Sequence, residues 1–188
     1  MPDQTDSLFP AHLSELRRRA DAALEAGEFA ALVVYSGRPR YAFQDDRPYP
    51  FAVNPHFKHW VPISDAPDCF VAYAPGHRPR LCFHQPADYW HRPPALPGGD
   101  WQREFEVSIV REPDAAREVL SPGQRRTAFI GEWQPEFEAW GFGAANPAAV
   151  LAHLHFQRAV KTPYELECMR RASVAAATSP SSTGPTSP

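Results

Sequence analysis

An α/β domain, a mixed β-sheet flanked by helices, is the fold class this sequence predicts, and three observations carry it. Short apolar runs of strand character alternate with segments of helical period along most of the 188 residues. One run, AALVVY at 30–35, is apolar throughout, as a strand covered on both faces must be. Two more, 69–73 and 80–84, flank Pro75-Gly76-His77 at hairpin spacing. Strands interleaved with helices imply helical layers over a mostly covered sheet.

The elements follow in order. Residues 7–26 predict an amphipathic helix: Ser7 can cap it, Leu13, Leu16, Ala20, Ala23 and Leu24 share one face, and Gly27 supplies a stop. Arg17-Arg18-Arg19 reads as its solvated face. After the strand at 30–35, the turn Ser36-Gly37-Arg38-Pro39 leads to a second predicted strand at 40–43. Residues 45–60, DDRPYPFAVNPHFKHW, hold three prolines, four aromatics, two histidines and adjacent carboxylates. That string fits neither period, so an ordered irregular loop is expected, either a proline-stiffened connection or a functional loop.

The hairpin comes next, then a second irregular stretch at 85–99. A strand at 106–110, a short helix at 114–120, a strand at 127–130 and a helix at 136–140 ending at Gly141 follow. Asn146 and Pro147 open a helix reaching about Arg158, with Asn146 as cap and Pro147 in the first turn. Thr162, Pro163 and Glu165 form a capping box for a last helix carrying Leu166, Met169, Arg170 and Ala172. From Thr178 only Ser, Thr, Pro and Gly remain, and disorder is expected over 178–188.

Composition bounds the function. The chain is 43% apolar and 12% aromatic, enough for one core. A net charge of −3 argues against nucleic acid or a membrane surface as partner. The polar start MPDQTDSLFP predicts no signal peptide, and no run is long enough to span a bilayer. Three cysteines, Cys69, Cys82 and Cys168, suit a reducing cytoplasm. Cys69 and Cys82 could face each other across the hairpin, although buried thiols are the expectation.

Residue patterns alone offer little chemistry. His56 and His59 lie in the proline-rich run, where helical spacing means little, and His153 and His155 point to different helix faces. Neither pair has the neighbours a metal site needs. Nucleophile-elbow and phosphate-loop motifs are missing. Asp45-Asp46 reads as turn capping, or as a carboxylate offered to a cationic group on a ligand or partner. Trp90, between Asp88 and His91, either anchors a loop or lines a pocket.

Particular strings go further. They are Ser36-Gly37, Phe43, Asp45-Asp46, Tyr49-Pro50-Phe51, Val53-Asn54-Pro55, Phe57-Lys58 and Trp60-Val61-Pro62. Pro86, Asp88, Tyr89-Trp90-His91, Ile130-Gly131, Lys161-Thr162-Pro163-Tyr164-Glu165-Leu166 and Cys168-Met169-Arg170 continue the match. From about Phe9 to Ala177 the chain resembles bacterial Xaa-Pro dipeptidases (prolidases) of the subfamily that includes organophosphorus acid anhydrolases.

The resemblance implies a creatinase/prolidase N-terminal domain over 1–160, with 161–177 as the first helix of a pita-bread catalytic domain. In that family two Asp, one His and two Glu hold two manganese ions that activate a bridging water for Xaa-Pro cleavage. Those ligands and the catalytic histidines belong to the part of the pita-bread domain beyond residue 177, which this sequence lacks. The chain alone is therefore expected to be non-catalytic, with no metal or catalytic residue of its own.

Family dimers place each N-terminal domain over the neighbour's active site. By motif position, Asp46 would meet a dipeptide's α-ammonium in the neighbouring subunit and Trp90 would form part of that pocket wall, with Tyr49 and His91 in support. A homodimer, self-association through Leu166 and Met169, or binding to a full-length prolidase is the expected partnership. A free-standing capping protein and a hydrolase with an unrecognised site are the alternatives.

Overall fold

A computed structural model describes residues 4–86 and 95–178. Helix α1 (Gln4–Gly27) packs on a six-stranded sheet of β1 (Ala31–Tyr35), β2 (Phe70–Tyr73), β3 (Arg80–His84), β4 (Glu106–Val110), β5 (Thr127–Ile130) and β6 (Ala144–Ala145). The order is β4-β3-β2-β1-β5-β6. β2 is antiparallel to β1 and to β3, whereas β1/β5, β3/β4 and β5/β6 are parallel. The sheet is mixed, as predicted.

Period-two alternation divides the core between two faces. Leu32, Val34, Val71, Tyr73, Leu81, Phe83, Ala128 and Ile130 join the layer containing α1, the short helix α2 (Pro55–Trp60) and α4 (Ala148–Gln157). Val33, Tyr35, Phe70, Cys82 and Phe129 face the other layer, built from α3 (Pro113–Leu120) and the 3-10 segment Pro135–Trp140. Each fully buried Leu or Phe contributes roughly 1.5–3 kcal/mol. The buried stripe of α1 includes Leu13, Leu16, Ala20, Ala23 and Leu24, as its period predicts.

Several local expectations are corrected. The first helix starts by Gln4, so Ser7 is an exposed intrahelical residue and not the cap. Tertiary anchoring explains the extra turn, because buried Thr5 accepts a 2.6 Å bond from Arg171 Nη1. The left-handed residue ending α1 is Glu28 (φ 57°), and Phe29 N–H returns to Leu24 O at 2.9 Å. Gly27 instead admits α4: a Cβ there would lie 2.5 Å from Val150 Cγ2. Of the arginine triplet, Arg19 is buried, donating to Gln157 O and Val160 O at 3.0 and 3.1 Å and so capping the end of α4.

The strand expected at 40–43 is a single bridge, Tyr41 to Pro48, since proline has no N–H to extend a ladder. Residues 55–60 of the expected loop are helical. Asn54 Oδ1 accepts from His56 N at 2.9 Å and Pro55 occupies the first turn, so the proline starts a helix here. Residues 136–140 belong to a 3-10 segment, not an α-helix. Pro147, not Asn146, caps α4, and Asn146 is spent elsewhere. Cys69 and Cys82 are buried thiols on opposite sheet faces; Cys82 pairs in register with Phe70.

Helix α5 (Pro163–Thr178) begins with the predicted capping box: Thr162 N donates to Glu165 Oε2 at 2.9 Å and Glu165 N to Thr162 Oγ1 at 3.3 Å. Leu166 and Met169 are 41% and 54% exposed. Residues 179–188, most of the stretch expected to be disordered, lie outside the described residues. No helix among the described residues is long and apolar enough to cross a membrane.

Candidate functional site

The chain leaves β1 toward β2 and leaves β5 toward β6, so their parallel carboxyl ends diverge. Such a switch point opens a crevice in α/β sheets. Here it holds a cleft of about 460 Å³, lined among others by Gly37, Tyr49, Phe51, Asn54, His56 and Gly131. Its polar groups are largely satisfied internally. Asn54 Nδ2 donates to Tyr35 O at 2.8 Å, and Asn146 bonds Gly131 N and O at 2.9 and 2.8 Å.

Charges beside the cleft are paired. Arg38 donates to Asp68 at 2.9 Å and lies 2.8 Å from Glu136, while Arg40 pairs with Glu132. Tyr35 donates its hydroxyl to the same Asp68. Burial first, and then Asp68, raises the Tyr35 phenol well above its ordinary range. Burial opposes the Arg38 charge, but Asp68, Tyr35 and Glu136 outweigh it.

From this rim residues 38–51 project as a flap. Its stem is closed by Tyr49 N to Arg40 O at 2.7 Å and Ala42 N to Arg47 O at 3.1 Å. Asp45 takes the turn-capping role, accepting from Arg47 N at 3.0 Å. Asp46 is exposed and forms no ion pair or side-chain hydrogen bond among the described residues. Around it Tyr41, Phe43 and Tyr49 are 65%, 89% and 59% exposed, an unusual concentration of solvent-facing rings. Tyr49 reaches the cleft wall; Trp90 and His91 lie outside the described residues.

A second cluster escaped the sequence reading. His12 from α1, His59 from α2 and Glu165 from α5 bring ligand-type atoms within 4.8 Å of one another. His12 Nδ1 lies 2.8 Å from Thr162 Oγ1 and Nε2 2.9 Å from His59 O, so both ring nitrogens are engaged. His59 Nε2 is 3.2 Å from Glu165 Oε1. Burial penalises the Glu165 charge, but the adjacent His59 ring and the bond from Thr162 N hold its pKa down at about 2. One carboxylate and an occupied imidazole do not fit a pair of manganese ions, which favour several carboxylate oxygens. The available signals were a histidine on the apolar stripe of α1 and an Asn-Pro pair at 54–55 matching Thr162-Pro163.

Comparisons agree with this architecture. The family profile described as Xaa-Pro dipeptidase, N-terminal domain, matches residues 7–156. A curated Xaa-Pro dipeptidase of Shewanella loihica is 42% identical over 167 residues, covering 89% of this chain and 38% of that protein. One from Xanthomonas campestris is 48% identical over 168 residues, covering 88% and 37%. Among solved structures, an Escherichia coli aminopeptidase P aligns with a TM-score of 0.50 at 16% identity, over 85% of this chain and 42% of that one, a likeness of fold. The chain thus spans less than two-fifths of the curated relatives' length. It belongs to the Xaa-Pro dipeptidase N-terminal domain family.

Proposed function

We propose that this chain is a non-catalytic domain of an Xaa-Pro dipeptidase that completes the substrate pocket of a neighbouring subunit, a second copy or a full-length enzyme. Asp46 carries the reading: an unpartnered, exposed carboxylate on a flap ringed by three exposed aromatics. The rings supply apolar area to bury against another subunit, and the carboxylate meets the α-ammonium of an Xaa-Pro dipeptide there. Removed from water, that pair discriminates free dipeptides from blocked ones. Trp90 forms part of the pocket wall. The two manganese ions are held by the rest of the full-length enzyme, in the cytoplasm.

Two measurements test this. The 188-residue chain, given glycyl-proline and manganese, is expected to show no turnover. In a full-length relative, the substitution equivalent to Asp46→Asn is expected to raise KM for glycyl-proline by roughly 10- to 100-fold, the scale of a charge-assisted bond in a desolvated site. Hydrolysis by the chain itself, or an unchanged KM in the variant, overturns the proposal.

A further inference from the structure

His12 sits where three helices meet. It is 2% exposed on α1 and reaches α5 through Nδ1 and the last turn of α2 through Nε2. The His59 carbonyl can only accept, so Nε2 carries the proton. Nδ1 is left as an acceptor for the Thr162 hydroxyl. That hydroxyl in turn accepts from Glu165 N, the capping bond of α5. One neutral imidazole therefore joins the start of α5 to α1 and α2.

The groups facing this ring come from all three elements. The His59 ring from α2 stands 5.4 Å away between centroids, and the Tyr164 ring from α5 4.8 Å. Arg19 of α1 and Glu165 of α5 are the permanent charges that act on the ring, and Lys58, Arg158 and Lys161 line the same pocket as His12. The His59 carbonyl and Glu165 favour a charged imidazole, and the Glu165 carboxylate already accepts from Thr162 N and abuts His59. Elsewhere α5 lies on the surface of the fold. It contains no fully buried residue, and its other ties to α1 include Tyr164 against Phe9 and Arg171 to Thr5.

We propose that His12 is a pH-sensitive latch: the neutral ring holds the first turn of α5 against α1 and α2, and protonation in mild acid releases that turn. Burial, first of all, lowers the His12 pKa from 6.5 to about 4, with the positive charge of Arg19 acting in the same direction; the His59 carbonyl and Glu165 oppose this without reversing it. A released ring returns toward its ordinary value and binds more protons than the docked one. The contribution of His12 to docking is thus fully present above about pH 6.5 and is lost as pH falls toward 4.

Amide hydrogen exchange at pH 7 and 4.5, expressed as protection factors, reads this directly on the chain and on His12→Gln. Glutamine keeps a donor and an acceptor but does not titrate. Protection over 163–169 is expected to fall roughly 10- to 100-fold in the wild type, β1 and β5 changing far less, and to stay level in the variant. An equal fall in His12→Gln, or none in the wild type, overturns the latch. Imidazole NMR on the wild-type protein is a second test independent of the variant's folding: titration of His12 below pH 5 supports it, and titration near 6.5 overturns it.

Discussion

The side-chain amide of Asn146 bonds Gly131 in both directions, accepting from its N–H at 2.9 Å and donating to its carbonyl at 2.8 Å. This bridge closes the end of β5 against the entrance to α4, at the wall of the cleft. Asn146 holds φ at 49°, which asparagine tolerates better than most residues. Asn146→Ala is expected to cost about 2 kcal/mol, from two lost bonds and backbone strain. Asn146→Gly relieves the strain alone and should fall between the two in urea midpoint.

Gly27 and Val150 make a second steric relationship. A methyl at position 27 would come within 2.5 Å of a fully buried valine, so Gly27→Ala is expected to destabilise by about 1–3 kcal/mol despite favouring helix. The adjacent Glu28→Gly removes left-handed strain and should raise the melting temperature. Thermal unfolding of the two variants should move in opposite directions.

Thiol chemistry separates the cysteines. Burial pushes the Cys69 and Cys82 thiols up to about 12, whereas Cys168 is partly exposed. Mass spectrometry after brief alkylation of the native protein should find Cys168 modified first, and all three after denaturation. Oxidation should yield no Cys69–Cys82 bridge, because their side chains enter opposite cores.

His56 stacks on His155 at 5.1 Å, and burial, then Arg158 and His155, lower its pKa to about 4. The folded ring resists protonation, so its contribution to stability is present above the unfolded value near 6.5 and is lost as pH falls through 4. Urea unfolding of His56→Gln should show a shallower loss of stability from pH 7 to 4 than the wild type.

Asp46→Asn should leave the stability of the chain within about 0.5 kcal/mol, since the carboxylate is exposed and unpaired in the described fold. A larger change in urea midpoint would mean that Asp46 serves its own domain instead of a neighbour.

Local pattern carried much of the fold. The apolar stripe of α1 and the AALVVY strand report which side chains leave water, and burial imposes its period on the chain. The Thr162–Glu165 box was equally legible, because all its partners lie within four residues. The start of α2 is local in the same way, since Asn54 caps His56 N two residues on and Pro55 takes the first turn.

The sequence by itself determined the mixed α/β class, the apolar stripe of α1 and, through its strings, the family. Only the tertiary structure decided that Gly27 makes room for Val150, that Asn146 clasps Gly131, that Arg19 caps α4 and that His12 joins α1 to Thr162. Periodicity records how much of a residue is buried but not by what. The partner is chosen by chain closure, which brings residues such as His12 and Thr162 together from opposite ends of the fold.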